Sequence, residues 1–505
     1  MLAILRKDKG SNMCKKFITT QGNKFIDLQG RHTILHGINM VCKDKEKNYI
    51  GDYKEEDFIN LKKWGFNVIR LGIFWDGVEP EPGRFDDKYL SCIDQLIELA
   101  GRNGLVVFLD MHQDLYSCIY ADGAPEWATL VDGQEHIRTE LWSESYLISP
   151  AVQAAFDNFW NNREATDGIG IQDHYINLWK HIASRYKDNQ YVIGYDLLNE
   201  PFLGSEVNSL LPALLSTLGN MVSENEPVDM EKLMAQWLDP SEKLKLLSML
   251  SDKELYLKLM REVEEIPRQF EATYLNDFYT KAGRAIREVD DRTIILLEAN
   301  YFSNAGMKSG IRPIVDYTGV QISYQAFSPH GYDLLVDTEM YHQSGNERID
   351  VIFDTHKIVQ EELQLPMLVG EWGCYPDATE DQLPQAFHLA SIFEKHLSGD
   401  AYYDFSHIYD NLITKAVIRA YPMKVAGEIK GYHYSFIDGS FTCTIMEKKN
   451  MDCSILYVPD LRQIGTVSVE PYEKGYQLEE IEGSHSGYLI IPESGHEMTR
   501  KITFG

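Results

Sequence analysis

Between residues 32 and 404, short apolar runs alternate with longer segments in which apolar residues return every three or four positions. This is the pattern of strands followed by helices that cover a parallel sheet. The predicted strands are TILHGIN (33–39), FNVIRLGI (66–73), LVVFLD (105–110), YVIGYDLLN (191–199), TIILLE (293–298), VQISYQAF (320–327), PMLVGEW (366–372) and DAYYDF (400–405). Eight such units predict a closed α/β structure, a (β/α)8 TIM barrel, whose functional groups gather at the C-terminal ends of the strands. A doubly wound open sheet is the alternative, but the Gly-rich turn that usually follows its first strand is absent. Polar residues end the apolar runs where a barrel site needs them: Arg70, His112, Asn199, Glu200, His330 and Glu371.

The expected barrel spans residues 1–415 and carries two long insertions, at about 111–190 and 201–292. The second contains DPSEKLKLLSML and DKELYLKLMREVEEI, which have helical spacing and acidic residues early in each segment. Both insertions leave from strand C-termini, so they rise over the expected site. Their Leu, Met, Trp and Tyr either line a substrate surface or only pack against one another. From 416 to 505 helical spacing gives way to short runs such as GSFTCTI, CSILYVP and GYLIIPE between turn residues, which predicts a small antiparallel β-sandwich. Such a domain either binds carbohydrate or braces the barrel.

Charge narrows the partners. The chain has 77 acidic and 48 basic residues, a formal net charge of -29, with no basic run, so nucleic acid is not an expected partner. Anionic lipid would hold it only through added apolar contact, as a transient meeting with a membrane surface. Seven scattered cysteines show no metal-ligand rhythm, and the apolar run near the N-terminus is too short for a secretory core, so the expected location is cytoplasmic unless a leader was removed.

Glu200 and Glu371 close the fourth and seventh predicted strands, which lie across the cavity of an eight-stranded barrel. One carboxylic acid and one carboxylate facing each other are what cleavage of a glycosidic bond requires, because the leaving oxygen needs a proton and the sugar carbon develops positive charge. For Glu200 to serve as the acid near neutral pH, burial and the charge of Glu371 must raise its pKa. Asn-Glu-Pro alone also marks any strand exit. Its placement with DMHQD (110–114), SPHGY (328–332) and Glu371 is more informative than the tripeptide.

The chain resembles the retaining glycoside hydrolases of family 5, and within them the endoglycoceramidases and microbial glucosylceramidases. The resemblance is carried by NVIRLGIFWDGVEPEPGRFD (67–86), VVFLDMHQDLYS (106–117), YDLLNEPF (195–202), FYTKAGRAIREVD (278–290), SPHGY (328–332), LVGEWG (368–373) and IRAYPMKVAG (418–427). It implies a retaining β-glycosidase acting on glycosphingolipid, with Glu200 as acid/base and Glu371 as nucleophile. Asn199 is then expected against the sugar 2-hydroxyl or the nucleophile, Arg70 on Glu371, His112 and Asp114 on the -1 sugar, and His330 with Tyr332 orienting the carboxylates. The family's tryptophan at the end of the eighth strand is replaced in AYYDF (401–405), which makes Tyr403 its expected occupant. No cofactor and no metal are expected. Steryl glucosides and soluble glucans are alternative substrates, and a sugar-binding barrel without catalysis is the non-enzymatic alternative. Residue by residue, Arg70 could instead pair with a structural carboxylate, His112 could be a core histidine, and Asp114 could only fix a loop.

Overall fold

The computed structural model describes residues 16–222, 230–336, 338, 341, 344–471 and 474–505. Cys14 and the N-terminal run on which the expected location rests lie outside the described residues. All the barrel strands are parallel: His36–Met40, Val68–Phe74, Val106–His112, Val192–Asp196, Ile294–Leu297, Gln325–Phe327 continued by His330–Gly331, Leu368–Gly373 and Gly399–Tyr403. The eighth strand pairs with the first. The sixth meets the seventh through Phe327 and Met367 and then through His330 and Glu371, which closes the barrel.

Alternation along each strand divides the core in two. Val68, Phe108, Ile193, Leu296 and Leu368 share one cluster, while Ile69, Leu71, Val107, Leu109, Ile295 and Val369 join the larger cluster that includes residues of the surrounding helices. Ile18 and Phe25, from a hairpin of Ile18–Gln21 with Lys24–Asp27, complete the first cluster. Further along the same strands the alternation brings Arg70, Asp110 and His112 to the site, and a register shift at Ile193 puts Asp196 beside them.

The sixth strand departs from its prediction. Residues 320–324 are not in it, because the Asp316 carboxylate accepts the backbone N–H groups of Thr318 and Val320 and turns the chain back so that Gln321 bridges Val315. Pro329, which has no N–H to give a ladder, separates the two short pieces that remain.

In the second insertion, Asp239 accepts the N–H groups of Ser241 and Glu242 and opens the helix Pro240–Met249, and Asp252 accepts that of Leu255 and opens Lys253–Val263. These caps are why the two acidic segment starts are helix starts. No helix among the described residues is long and apolar enough to cross a membrane.

The C-terminal strands form two antiparallel sheets, four strands in each, around a shared core that includes Ile429, Cys443, Leu456, Leu489 and Ile502, and three N-terminal strands extend one of them to seven. These three, within residues 18–33, join through His32 and Thr33 paired with Val425 and Lys424, although they fall within the span expected to be barrel. Strand pairing between distant segments is not written in the local pattern of either. The sandwich is bound to the barrel by buried polar contacts: Arg419 donates to Asp400, which also pairs with His36, and the Tyr421 and Tyr457 hydroxyls donate to the carbonyls of Gly65 and Lys63.

Candidate active site

Arg70, fully buried on the second strand, organises the site. Its guanidinium donates to Glu371 Oε1 at 2.6 Å, Glu298 Oε1 at 2.7 Å, Asp196 Oδ2 at 3.1 Å, Asn199 Oδ1 at 2.9 Å and Asn39 Oδ1 at 3.1 Å, and lies 2.9 Å from Asp110 Oδ1. Five donors in a fixed fork suit such a crowd of acceptors better than the point charge of lysine. Burial pushes the Asp196 carboxyl well up, with the charge of Glu298 adding to it and that of Arg70 opposing it.

Glu371 stands opposite Glu200, and one oxygen of each, together with a ring nitrogen of His330, lies within 4.8 Å of the others. Burial by itself would raise the Glu371 carboxyl. The charges of His330 and Arg70 outweigh it, helped by His112 and the Tyr332 hydroxyl, and hold it at about 2. Tyr332 donates to Oε2 at 2.7 Å and Arg70 to Oε1, so the carboxylate is aimed as well as ionised. Glu200 goes the other way. Burial pushes it up to about 7, against the hydrogen bond and charge of His330 and with the charges of Glu371 and Asp114. Both donors described on this carboxyl, Asn304 Nδ2 at 2.7 Å and His330 Nδ1 at 3.0 Å, fall on Oε1. Oε2 is therefore the oxygen left to carry a transferable proton.

His112 gives Nδ1 to Asp110 at 2.7 Å, while its buried Nε2 has no hydrogen-bond partner among the described residues and lies 3.9 Å from Asp114. Asp114 pairs with Lys43, whose ammonium sits 5.4 Å from the Tyr403 ring centroid and 5.9 Å from that of Trp142. Asp114, Lys43, Tyr403, Asn199 and both glutamates border one cavity. Asn199 spends its amide on Arg70 and on the Gln113 carbonyl, at 2.9 and 3.0 Å, and no hydrogen bond to Glu371 is described. Gly370 gives His330 its place, since a Cβ there would stand 2.8 Å from Nε2.

The sequence reading missed several members of the site. Asn39, Asp110, Asp196 and Glu298 sit at or beside the ends of strands it had located, and their position was the available signal. Asn304 and Lys43 lie in irregular segments, where sequence carried none. Asn304 is held in reach by a chain of contacts from the second insertion: buried Glu271 accepts the backbone N–H and side-chain amide of Asn300, whose own oxygen caps the short turn Tyr301–Ala305.

Among the described residues, three groups of carboxylates and histidines have a metal-like spacing: His112–Asp114–Asp122, Asp196–Glu298–His330 and Glu200–His330–Glu371. Protein cations already serve them, Lys43 at Asp114 and Arg70 at Asp196, Glu298 and Glu371.

The insertions line the rest of the cavity, which is about 310 Å³ and runs from the carboxylates past Leu211, Leu214, Leu215, Leu218, Leu250 and Met260. Of the two expected roles for their apolar residues, lining a surface beside the site is the one observed.

A closed barrel with a buried acid and a carboxylate facing across it is the architecture of barrel glycosidases. The chain belongs to the cellulase family, glycosyl hydrolase family 5, whose pattern matches residues 26–407. Among curated proteins it is similar to an endoglycoceramidase of Cyanea nozakii, 31% identical over 216 residues, which cover 37% of this chain and 42% of that protein. It is also similar to a glucosylceramidase of Aspergillus fumigatus, 28% identical over 260 residues, 39% of this chain and 34% of that one. The matched stretches thus span less than half the length of these relatives. A solved structure of endo-glycoceramidase II from Rhodococcus sp., in complex with a cellobiose-like imidazole, superposes with a TM-score of 0.70 at 25% identity and covers 96% of this chain and 99% of its own.

If this pair works as acid and nucleophile, Glu371 has to be ionised and Glu200 protonated. The expected kcat/KM profile is flat between the two values, falls toward about 2 as Glu371 gains its proton, and falls above about 7 as Glu200 loses its own. A pH–rate series with an aryl β-glucoside measures both limbs; a descending limb near pH 4.5 instead of 7 would be evidence against Glu200 as the acid.

Proposed function

We propose that this protein is a retaining β-glycosidase that cleaves the bond between sugar and ceramide in a glycosphingolipid. The observation that supports the reading is the continuity of the carboxylate pair with the leucine-lined cavity, because an apolar cavity beside the two glutamates suits a lipid aglycone. One oxygen of each glutamate lies within 4.8 Å of the other, short of the roughly 6.5 to 9.5 Å between carboxyl groups that an inverting enzyme keeps for water, which supports direct attack by the carboxylate.

In the first step a Glu371 oxygen bonds to the anomeric carbon as the bond to the leaving oxygen breaks, and the proton on Glu200 passes to that oxygen. In the second, Glu200, now a carboxylate, takes a proton from water as the water oxygen displaces Glu371. The Nε2 of His112 and the Asp114–Lys43 pair stand where sugar hydroxyls would meet them, and Tyr403 offers an aromatic face. The leucines then receive the lipid of the aglycone.

Four substrates test the reading: glucosylceramide, a longer glycosphingolipid, a steryl glucoside and a cello-oligosaccharide. Preference for a ceramide glycoside with retention of the anomeric configuration, read by NMR of the first product, is the expected result. Preference for the steryl glucoside or for the soluble glucan would replace the assigned aglycone, and sugar binding without turnover would remove the enzyme reading. Leu215→Asp and Leu218→Asp are expected to lower kcat/KM for the lipid by roughly 10- to 100-fold, the equivalent of one buried leucine side chain, with a soluble aryl glucoside changing by only about 3-fold or less. Equal losses on both substrates would show that the leucines support the site instead of binding lipid.

A further inference from the structure

The residue just past the fifth strand is Glu298, a carboxylate that is 2% exposed. Oε1 accepts from Arg70 Nη2 at 2.7 Å and lies 3.3 Å from His330 Nε2, while Oε2 accepts the backbone N–H of Glu200 at 2.7 Å. On its other side, His330 donates from Nδ1 to Glu200 Oε1 at 3.0 Å. We propose that Glu298 is a positioning residue for the acid/base, one of its oxygens fixing the backbone of Glu200 and the other facing the imidazole that donates to the Glu200 side chain. The proposal rests on the reading of Glu200 as the acid/base.

Two observations separate this role from that of another counterion for Arg70. Glu200 has φ of +44°, a left-handed conformation uncommon for a residue with a side chain. A buried N–H presented from that conformation needs an acceptor in one place, and Glu298 Oε2 occupies it. His330 is also enclosed by titratable and charged groups from several elements: Arg70 from the second strand, Asp196 from the fourth and Glu200 just beyond it, Glu298 after the fifth and Glu371 from the seventh. His356 of the helix Asn346–Leu363 approaches only its backbone carbonyl, and burial, against that hydrogen bond, lowers His356 to about 4, so it adds no charge near neutrality. Burial alone would lower His330; Glu298 first and then Glu371 reverse that and raise it.

The consequence has a defined sign. With Glu298→Gln, His330 loses its leading counterion and gives up its proton at lower pH. Near neutrality a neutral His330 no longer stabilises the Glu200 anion beside it, so the pKa of Glu200 rises, while at the acid limb His330 is still protonated and Glu371 keeps that cation. The basic limb of the kcat/KM profile is expected to move to higher pH and the acid limb to stay, whereas loss of order alone would lower the profile without displacing it. Glu298→Asp keeps the charge but draws it back by one methylene. Its limbs are expected to stay in place while kcat falls about 10-fold or more from lost alignment.

The direct readout is the ¹⁵N imidazole spectrum of protein labelled at histidine, with His330 assigned by the signal lost in His330→Gln. The wild type is expected to show His330 as imidazolium well above pH 6.5, the ordinary value, and Glu298→Gln to show it titrating at or below that value. A wild-type His330 that titrates near 6.5, or one that remains imidazolium in Glu298→Gln, overturns the proposal. If Glu298→Gln does not fold, the wild-type spectrum and the Glu298→Asp profile decide it. The spectrum needs no substrate: an imidazolium dependent on Glu298 in a protein that cleaves no β-glycoside would support the charge pairing and count against the glycosidase reading.

Discussion

Glu371→Gln and Glu371→Ala are expected to lower kcat by roughly 10⁴- to 10⁶-fold, the range seen when a nucleophile that works as part of a unit is removed. Gln fills nearly the same space, so its loss would be chemical and not a matter of packing. Glu200→Ala should behave differently with substrate. A glycoside with a phenolate-like leaving group needs little proton assistance, so its first step should persist and the glycosyl-enzyme should accumulate, because no base activates water. Azide, which needs no base, is then expected to release a β-glycosyl azide from a β-glycoside substrate. The measurements are burst kinetics with an activated aryl glucoside and NMR of the azide product. An α-azide from Glu200→Ala would sink the two-step assignment, and full activity in Glu371→Gln would place the nucleophile elsewhere.

Arg70→Met should produce the largest loss of stability. The side chain is fully buried against Asp110, Asp196, Glu298 and Glu371, which are themselves at most 6% exposed at the side chain. Removing one partner of a buried ion pair costs about 3–5 kcal/mol, because the remaining charge keeps its desolvation penalty without its compensation. Here the remaining groups can relieve part of that penalty by taking up protons. The variant should therefore recover some stability at acid pH, and Glu371 should lose much of its nucleophilicity as its pKa rises. Guanidinium chloride unfolding at pH 5 and pH 8 checks both statements. Arg70→Lys should retain more stability than Arg70→Met yet remain poorly active, because a single ammonium cannot reproduce the fork that aims Glu371. Wild-type stability in Arg70→Met would show that the carboxylates are not held by this cation.

The pair at Glu200 and Glu371 was legible because each ends a strand whose apolar alternation is strong, and a polar residue at such an end in a barrel has few places to go but the cavity. The same logic applied to Asp196 and Glu298, yet both were passed over as strand text. Nothing local distinguishes a strand-end carboxylate that meets Arg70 from one that meets water. Asn304 and Lys43 were harder still, since irregular segments have no period from which a direction can be read. The sixth strand was overextended because Val320 and Ile322 look like strand residues, whereas the Asp316 turn takes Val320 and Gln321 away from the barrel.

Period-two alternation in the strands, 3.6-residue spacing between them and the polar residues at strand ends were enough to specify a barrel with a carboxylate pair, because these depend on local backbone geometry. Opposed proton states of two chemically identical side chains depend on what surrounds them. Burial keeps Glu200 near 7 against the hydrogen bond and charge of His330, while His330, Arg70 and Tyr332 hold Glu371 near 2. Those neighbours come from the second strand and from the sixth and its end, tens to hundreds of residues away. Only folding brings them within hydrogen-bonding distance, where low dielectric makes their charges decisive.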